Sequence, residues 1–160
     1  MFDSVHHVTY LVWDLDSVEA YFQKHFGLHP VHRKNTRPGK PGNISYQVGP
    51  TILRFSEPAR AASLEFDQLR RYGGPVISHI GLAVANLAKR SEDLKESGVG
   101  FAQSGITISP HGGYRVIDIA EENSCGMRSQ NEHFALRKMF PDSSLGIRLQ
   151  LCETITEAED

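Results

Sequence analysis

The sequence predicts an α+β fold assembled from two tandem β-α-β-β-β modules. Three observations lead there. The segment His7-Val8-Thr9-Tyr10-Leu11-Val12-Trp13-Asp14-Leu15 matches His79-Ile80-Gly81-Leu82-Ala83-Val84-Ala85-Asn86-Leu87 at a single offset, with the histidine, the β-branched residue after it, a valine and the final leucine recurring in place. Each copy runs into a stretch with apolar residues at helical spacing, closed by Gly27 in the first and Gly98 in the second. Three strand-like runs then follow in each half.

The elements follow from residue chemistry. Val5 to Trp13 is rich in β-branched and aromatic residues, as strands are. Asp14 and Asn86 correspond in the repeat and are good helix N-caps, and Asp16 stands three residues before Glu19 in a capping-box arrangement. Val18, Phe22 and Phe26 share one face of the first helix; Leu87 and Leu94 share a face of the second, which is only weakly amphipathic. The strand runs of the first half are Leu28–Arg33, Ile44–Val48 and Thr51–Phe55, the last two joined by the turn Gly49-Pro50. Those of the second half are Val99–Gln103, Tyr114–Ala120 and Gly146–Cys152. Between the halves, Pro58 to Tyr72 reads as a helix, with Pro58 in its first turn, Ala62, Phe66 and Leu69 as its stripe and Gly73-Gly74-Pro75 as its stop. The expected organisation is one domain over 1–160: a first module over 5–57, a linking helix over 58–75, and a second module over 76–155 with an insert at 121–145. The insert carries Phe134, Leu136, Met139 and Phe140. An extended hairpin or a lid with a short helix, and a loop packed on its own domain or on a partner subunit, are both open readings. The acidic tail from Glu153 to Asp160 is expected to fray.

Composition narrows the function classes. Of 160 residues, 39% are hydrophobic and 22% charged, which suits a packed domain and not a disordered chain. With 17 Lys and Arg against 19 Asp and Glu there is no basic stripe, so nucleic acid is not an expected partner. The basic run from His32 to Lys40 is broken by Pro38-Gly39 and reads as a solvated loop. Cys125 and Cys152 form no CxxC pair, which argues against a thiolate zinc site or a disulfide framework. The start, MFDSVHHV, has no basic segment leading into an apolar one, and no apolar run approaches the ~20 residues of a bilayer span. A cytoplasmic, reduced setting with no membrane partner is the resulting expectation. Exposed sheet edges and the apolar insert point to a homodimer.

A paired β-α-β-β-β arrangement with a histidine opening each half resembles the vicinal oxygen chelate superfamily, which includes glyoxalases and methylmalonyl-CoA epimerases. The resemblance is carried by His-Val-Thr-Tyr-Leu-Val-Trp-Asp-Leu-Asp at 7–16, His-Ile-Gly-Leu-Ala-Val-Ala-Asn-Leu at 79–87, Phe26-Gly27, Ser56-Glu57-Pro58 and His111-Gly112-Gly113. It covers most of the chain apart from the insert and the last residues, and the pattern is nearest to the epimerase-like members. It implies two half-barrels forming an open cup with one divalent metal ion inside. Each module would supply a histidine from its first strand and a carboxylate or glutamine from its last. The metal would stabilise an enolate or enediolate, because a Lewis acid beside a carbonyl lowers the cost of the negative charge that forms there.

Carried over residue by residue, the resemblance implies His7, His79 and Gln150 as metal ligands. Adjacent strand residues face opposite sides, and the repeat selects His7 over His6 because His6 aligns with Ser78. Gln150 stands where the family has a carboxylate, and its amide oxygen brings no charge. At the matching position of the first half stands Arg54, which has no acceptor and repels a cation. A metal-free cup therefore remains open. Arg54 suits a substrate carboxylate or phosphate, or an internal ion pair with Asp118 or Glu57. The epimerases use a glutamate on the third strand of the first module, and Asn43-Ile44-Ser45-Tyr46-Gln47-Val48 offers none. Asp118 is the one strand-borne acid available as a base, with pairing to Arg115 or Arg54 as its structural alternative. The glycine-rich stretch Ser109 to Arg115 brings His111 and Arg115 as candidate substrate contacts.

Two function classes follow. One is a metal-assisted isomerase, epimerase or lyase acting beside a carbonyl of a small anionic molecule. The other is a metal-free binding protein of the drug-resistance type, its cup lined by Trp13, Tyr10, Tyr46 and Phe55. A ring-cleaving dioxygenase ranks below both, because an iron site of that kind needs a carboxylate where Gln150 stands.

Overall fold

Asp14 opens the first helix and decides where the first strand must end. Its carboxylate accepts from the backbone N–H of Asp16 at 2.9 Å and from the Ser17 hydroxyl at 2.6 Å. Asp16, expected to cap, sits instead in the first turn, where a negative charge favours the helix N-terminus. In the computed structural model, which describes residues 2–34, 41–60, 63–109, 113–119 and 148–155, the elements follow in the order β1 (Ser4–Leu11), α1 (Leu15–Phe26), β2 (His32–Lys34), β3 (Gly42–Val48), β4 (Thr51–Glu57), α2 (Leu64–Tyr72), β5 (Val76–Ala83), α3 (Leu87–Glu96), β6 (Thr107–Ile108), β7 (Tyr114–Asp118) and β8 (Arg148–Thr154). The insert at 121–145 and His111 lie outside the described residues.

The chain divides into two compact units, His7–Ser78 and Met1–His6 with His79–Asp160. In the first, the strands lie in the order β2-β3-β4-β1, with β1 parallel to β4 and the other pairs antiparallel. Alternation sends Ile44, Tyr46, Leu53, Phe55 and Tyr10 to one face, where Val18 and Phe22 of α1 cover them together with Val12, Leu15 and Leu28. Phe22 stacks on Tyr46 with ring centroids 4.7 Å apart and meets Phe55 at 5.3 Å. Arg33 on β2 pairs with Asp16 and Glu19 and ties the edge strand to α1. Three of the four aromatics offered as cup lining, Tyr10, Tyr46 and Phe55, pack in the core against α1, while Trp13 is exposed and edge-on to Phe66.

The second unit repeats the plan, with strands in the order β5-β8-β7-β6 and β5 parallel to β8. Leu151, Ile117 and Ile119 pack with Val84, Leu87 and Leu94 around α3. The repeat extends into the hydrogen bonds. Val12 N–H donates to the Ser56 carbonyl and Val84 N–H to that of Cys152, each at 2.9 Å. His7 lies opposite Ile52 and Thr9 opposite Arg54; His79 lies opposite Arg148 and Gly81 opposite Gln150. The two modules therefore share one strand register.

Four expectations shift. The strand run expected over Leu28–Arg33 forms as β2 only over His32–Lys34. The linking helix begins at Leu64 rather than near Pro58, because Ser63 caps it: its backbone is extended and its hydroxyl accepts from Phe66 N–H at 3.2 Å. Val99–Gln103 does not form a named strand: Phe101 makes an isolated bridge to Ile119, Ala102 N–H donates to the Asp118 carbonyl at 2.9 Å, and β6 lies further on. The expected fraying does not begin at Glu153: that residue and Thr154 belong to β8, where Thr154 lies opposite Tyr114 and Arg115 opposite Glu153.

Candidate functional site

Each sheet has a second face, turned away from its helix-covered core, and the candidate residues fall mainly there. In the first unit this face carries His7 and Thr9 of β1, Arg54 of β4, and Asn43 and Ser45 of β3. All five are buried. Buried polar side chains in that number on one sheet face are unusual, because each gives up hydration. His7 shares the face with Arg54, as the repeat required, and Arg54 is buried rather than solvated.

In the second unit the corresponding face carries His79 of β5, Gln150 and Cys152 of β8, and Tyr114, Val116 and Asp118 of β7. Gln150 lies opposite Asp118, and its Nε2 donates to Asp118 Oδ1 at 2.7 Å. That bond commits the amide nitrogen and turns Oε1 away from the carboxylate. The Cys152 thiol reaches Oε1 at 3.6 Å, a weak sulfur donor contact. Further along the face, His6 of the same unit packs on Tyr114, ring centroids 4.5 Å apart, and brings an imidazole nitrogen within 4.8 Å of Cys152 Sγ. Opposite Gln150 on β5 stands Gly81, which presents no side chain. His79 is half-buried one strand step away.

Arg115 goes elsewhere. It lies on the helix-covered side of β7, next to Ile117, and its guanidinium meets Glu153 at 3.5 Å. Strand alternation separates it from Asp118, so Asp118 pairs with Gln150 and not with Arg115. Glu57, a suggested partner of Arg54, has its Oε2 at 3.4 Å from the backbone N–H of Leu15.

Sequence reasoning missed the polar row itself. Part of the signal was present: in Asn43-Ile44-Ser45-Tyr46 polar and apolar residues alternate, and Thr9 shares the parity of His7 on β1, while Arg54 joins them through the register of β4. Attention to charge alone passed over Thr9 and Ser45. The Gln150–Asp118 bond needed the register of β7 on β8, which crosses the long insert.

On the second unit's face the candidate cation donors are His79 and Gln150, two residues apart in the register of β5 on β8. An imidazole and an amide oxygen, with a carboxylate bonded to that amide, are the nitrogen and oxygen donors such ions take. With Nε2 held by Asp118, Gln150 is left with Oε1 as its acceptor atom, which the Cys152 thiol approaches at 3.6 Å.

No curated protein matches the chain. Solved structures do. A methylmalonyl-CoA epimerase is similar with a TM-score of 0.70 and 20% identity, over 98% of both chains. The methylmalonyl-CoA epimerase of Mycobacterium tuberculosis matches with a TM-score of 0.70 and 18% identity, over 98% of this chain and 91% of its own. A Streptomyces coelicolor methylmalonyl-CoA epimerase variant in complex with 2-nitronate-propionyl-CoA matches at 0.69 and 15%, over 98% and 100%. At such identities the likeness is one of fold. Residues 6–117 match the family model described as Glyoxalase/Bleomycin resistance protein/Dioxygenase superfamily. With that match spanning more than half of the sequence and the repeated β-α-β-β-β plan behind it, the chain belongs to this superfamily, the vicinal oxygen chelate proteins.

Proposed function

We propose that the protein is a small-molecule enzyme of the isomerase, epimerase or lyase kind, which moves a proton on carbon beside a carbonyl. The observation that carries this reading is the hydrogen bond from Gln150 to Asp118 on the open face of the second unit. A carboxylate bonded by a neutral amide stays a proton acceptor while its orientation is fixed. Asp118 takes the proton from carbon, and the negative charge passes to the substrate oxygen. The same carboxylic acid returns the proton to that face; an epimerisation also needs a donor on the opposite face of the enolate.

His79 and Gln150 would hold a divalent cation, which when bound would polarise the substrate carbonyl. Arg54 is a buried cation of the first unit, and its planar fork suits an anionic group. The favoured substrates are therefore small carbonyl compounds that carry an anion. The epimerases of similar fold act on a thioester of this general description, which supports the reading without naming a substrate. The reduced, cytoplasmic setting and the homodimer belong to the same proposal.

The test is deuterium wash-in at the carbon next to the carbonyl, followed by NMR in D2O on a panel of 2-hydroxy and 2-oxo acids and acyl thioesters, with protein loaded with divalent metal. Wild-type protein is expected to exchange at least one member, and Asp118→Asn to lose about 100-fold or more. Binding of an anionic ligand with no exchange on any member would replace the enzyme by the sequestration reading, which Arg54 alone would then carry.

A further inference from the structure

We infer that Cys152, His6 and Gln150 form a binding site for a thiophilic divalent cation, Zn2+ above all, from a thiolate, an imidazole nitrogen and an amide oxygen. The inference rests on the reading of Gln150 as a cation donor and gives its oxygen two other partners in place of His79. All three donors belong to one compact unit, Met1–His6 with His79–Asp160. Cys152 and Gln150 stand two residues apart on β8 and so share a face. His6 reaches that face from β1, its ring packed on Tyr114 with centroids 4.5 Å apart. No CxxC motif marks such a site in the sequence, because its donors come from opposite ends of the chain.

The spacing suits one ion. Cys152 Sγ lies 3.6 Å from Gln150 Oε1. Bonds to zinc of about 2.3 Å from sulfur and about 2.1 Å from oxygen, at the tetrahedral angle, set those two atoms about 3.6 Å apart. An imidazole nitrogen of His6 lies within 4.8 Å of the same sulfur. Zinc bonds of about 2.3 Å to sulfur and about 2.0 Å to nitrogen bring that pair onto one ion with a small turn of the ring. Gln150 is oriented for the role: its Nε2 donates to Asp118 Oδ1 at 2.7 Å, which leaves the oxygen as the atom that can bind. His79, by contrast, is two residues away from Gln150 in the register of β5 on β8.

Donor chemistry selects the cation. Cys152 is fully buried beside Tyr114 and Val116, and burial among such neighbours would by itself make it an inert filler. The nitrogen and oxygen donors gathered around its sulfur set it apart from one. As the metal–sulfur bond forms, the thiol gives its proton to solvent. Thiolate and imidazole favour zinc over magnesium or calcium, which take oxygen donors. One thiolate and two neutral donors leave one positive charge on a divalent ion, so the bound ion still attracts a carbonyl oxygen or an anionic group.

Titration of the chelator-treated full chain with Co2+, followed by absorption spectroscopy, tests this. One equivalent is expected to bind with a thiolate-to-cobalt charge-transfer band in the near ultraviolet, which Zn2+ abolishes and Mg2+ leaves untouched. Cys152→Ala should remove the band and Cys125→Ser should keep it, which assigns the sulfur. His6→Ala and Gln150→Ala should each weaken Co2+ binding about tenfold or more, whereas His79→Ala should leave the band and the affinity in place. Thermal unfolding verifies that each variant is folded; His6 is only half-buried, so His6→Ala keeps the test decisive if Cys152→Ala fails to fold. A wild type without the band, a band that survives in folded Cys152→Ala, or an affinity unchanged in folded His6→Ala would overturn the inference. Co2+ bound without the band and lost in His79→Ala would overturn it too, and would leave the cation with His79 and Gln150. The band without deuterium exchange on any substrate would leave the site standing while removing the enzyme reading.

Discussion

Glu153 Oε1 accepts a hydrogen bond from the backbone N–H of Leu87 at 3.2 Å, across 66 positions of sequence. Glu57 makes the same bond to Leu15 at 3.4 Å in the other module. In both, the last strand of the module supplies a carboxylate to the first turn of its helix, where backbone N–H groups have no helical partner. Asp14 and Asn86 cap the same turns from the N-terminal side. Each helix start is thus held from its own sequence and from the far end of its module.

Removing that tether should loosen the second unit. Glu153→Ala is expected to cost about 1–2 kcal/mol, the scale of a lost helix cap plus a partly exposed ion pair. Arg115→Ala, which removes the ion pair and leaves the bond from Leu87 to Glu153 in place, should cost less, about 0.5 kcal/mol. Urea unfolding followed by circular dichroism measures both. Equal losses in the two variants would show that the ion pair, and not the bond to Leu87, carries the effect.

Asp14 makes stability sensitive to acid. Its hydrogen bond from Ser17 is the main cause that holds its pKa below the usual 3.8, and burial opposes this only in part. A carboxylate depressed in the folded state contributes stability above its unfolded pKa and loses it as pH falls through the folded value. Asp14→Asn, an equally good cap, should match wild type at neutral pH. Below about pH 4 the stability of wild type should fall more steeply than that of the variant, as urea midpoints across pH 2–7 would reveal. Parallel curves would count against the capping account.

Tyr46 is buried, and its hydroxyl has no hydrogen-bond partner among the described residues. Tyr46→Phe should therefore be neutral or stabilising by up to about 1 kcal/mol, since an unsatisfied buried hydroxyl is lost with little change of shape. Tyr46→Ala should cost about 3–5 kcal/mol, because it opens a cavity beneath Phe22 and Phe55. Burial raises the phenol above its usual 10.0, with Arg33 opposing. The stability it contributes is full below pH 10 and is lost as pH rises through the folded value, a loss that Tyr46→Phe should abolish.

Gln150→Glu would set a second carboxylate in hydrogen-bond reach of Asp118. Metal affinity should rise about tenfold or more, since a neutral donor becomes an anion. Titration with Zn2+, Mn2+ and Mg2+ measures this, with His79→Ala as the variant that weakens retention. An affinity unchanged by Gln150→Glu and His79→Ala would remove the cation from the second unit's face.

The repeat, the helix caps and the glycine stops could be read from the chain because they depend on neighbours within a turn or a strand. His7 and His79 stand at matching places in the two ladders because the same local pattern recurs around them, and Arg54 and Gln150 do so for the same reason. The pairing of Gln150 with Asp118 could not be read, because the register of β7 on β8 is set by packing across a long gap in sequence. Nor could the fate of the aromatics: Tyr10, Tyr46 and Phe55 share their strands with polar residues, and only the docking of α1 determines which face becomes core. Strand alternation fixes the face of Thr9, Ser45 and Arg54 only within each strand; their alignment and burial as a row are properties of three strands brought together in register. Local chemistry thus determined the elements and their order, while tertiary packing decided which polar side chains left water in company.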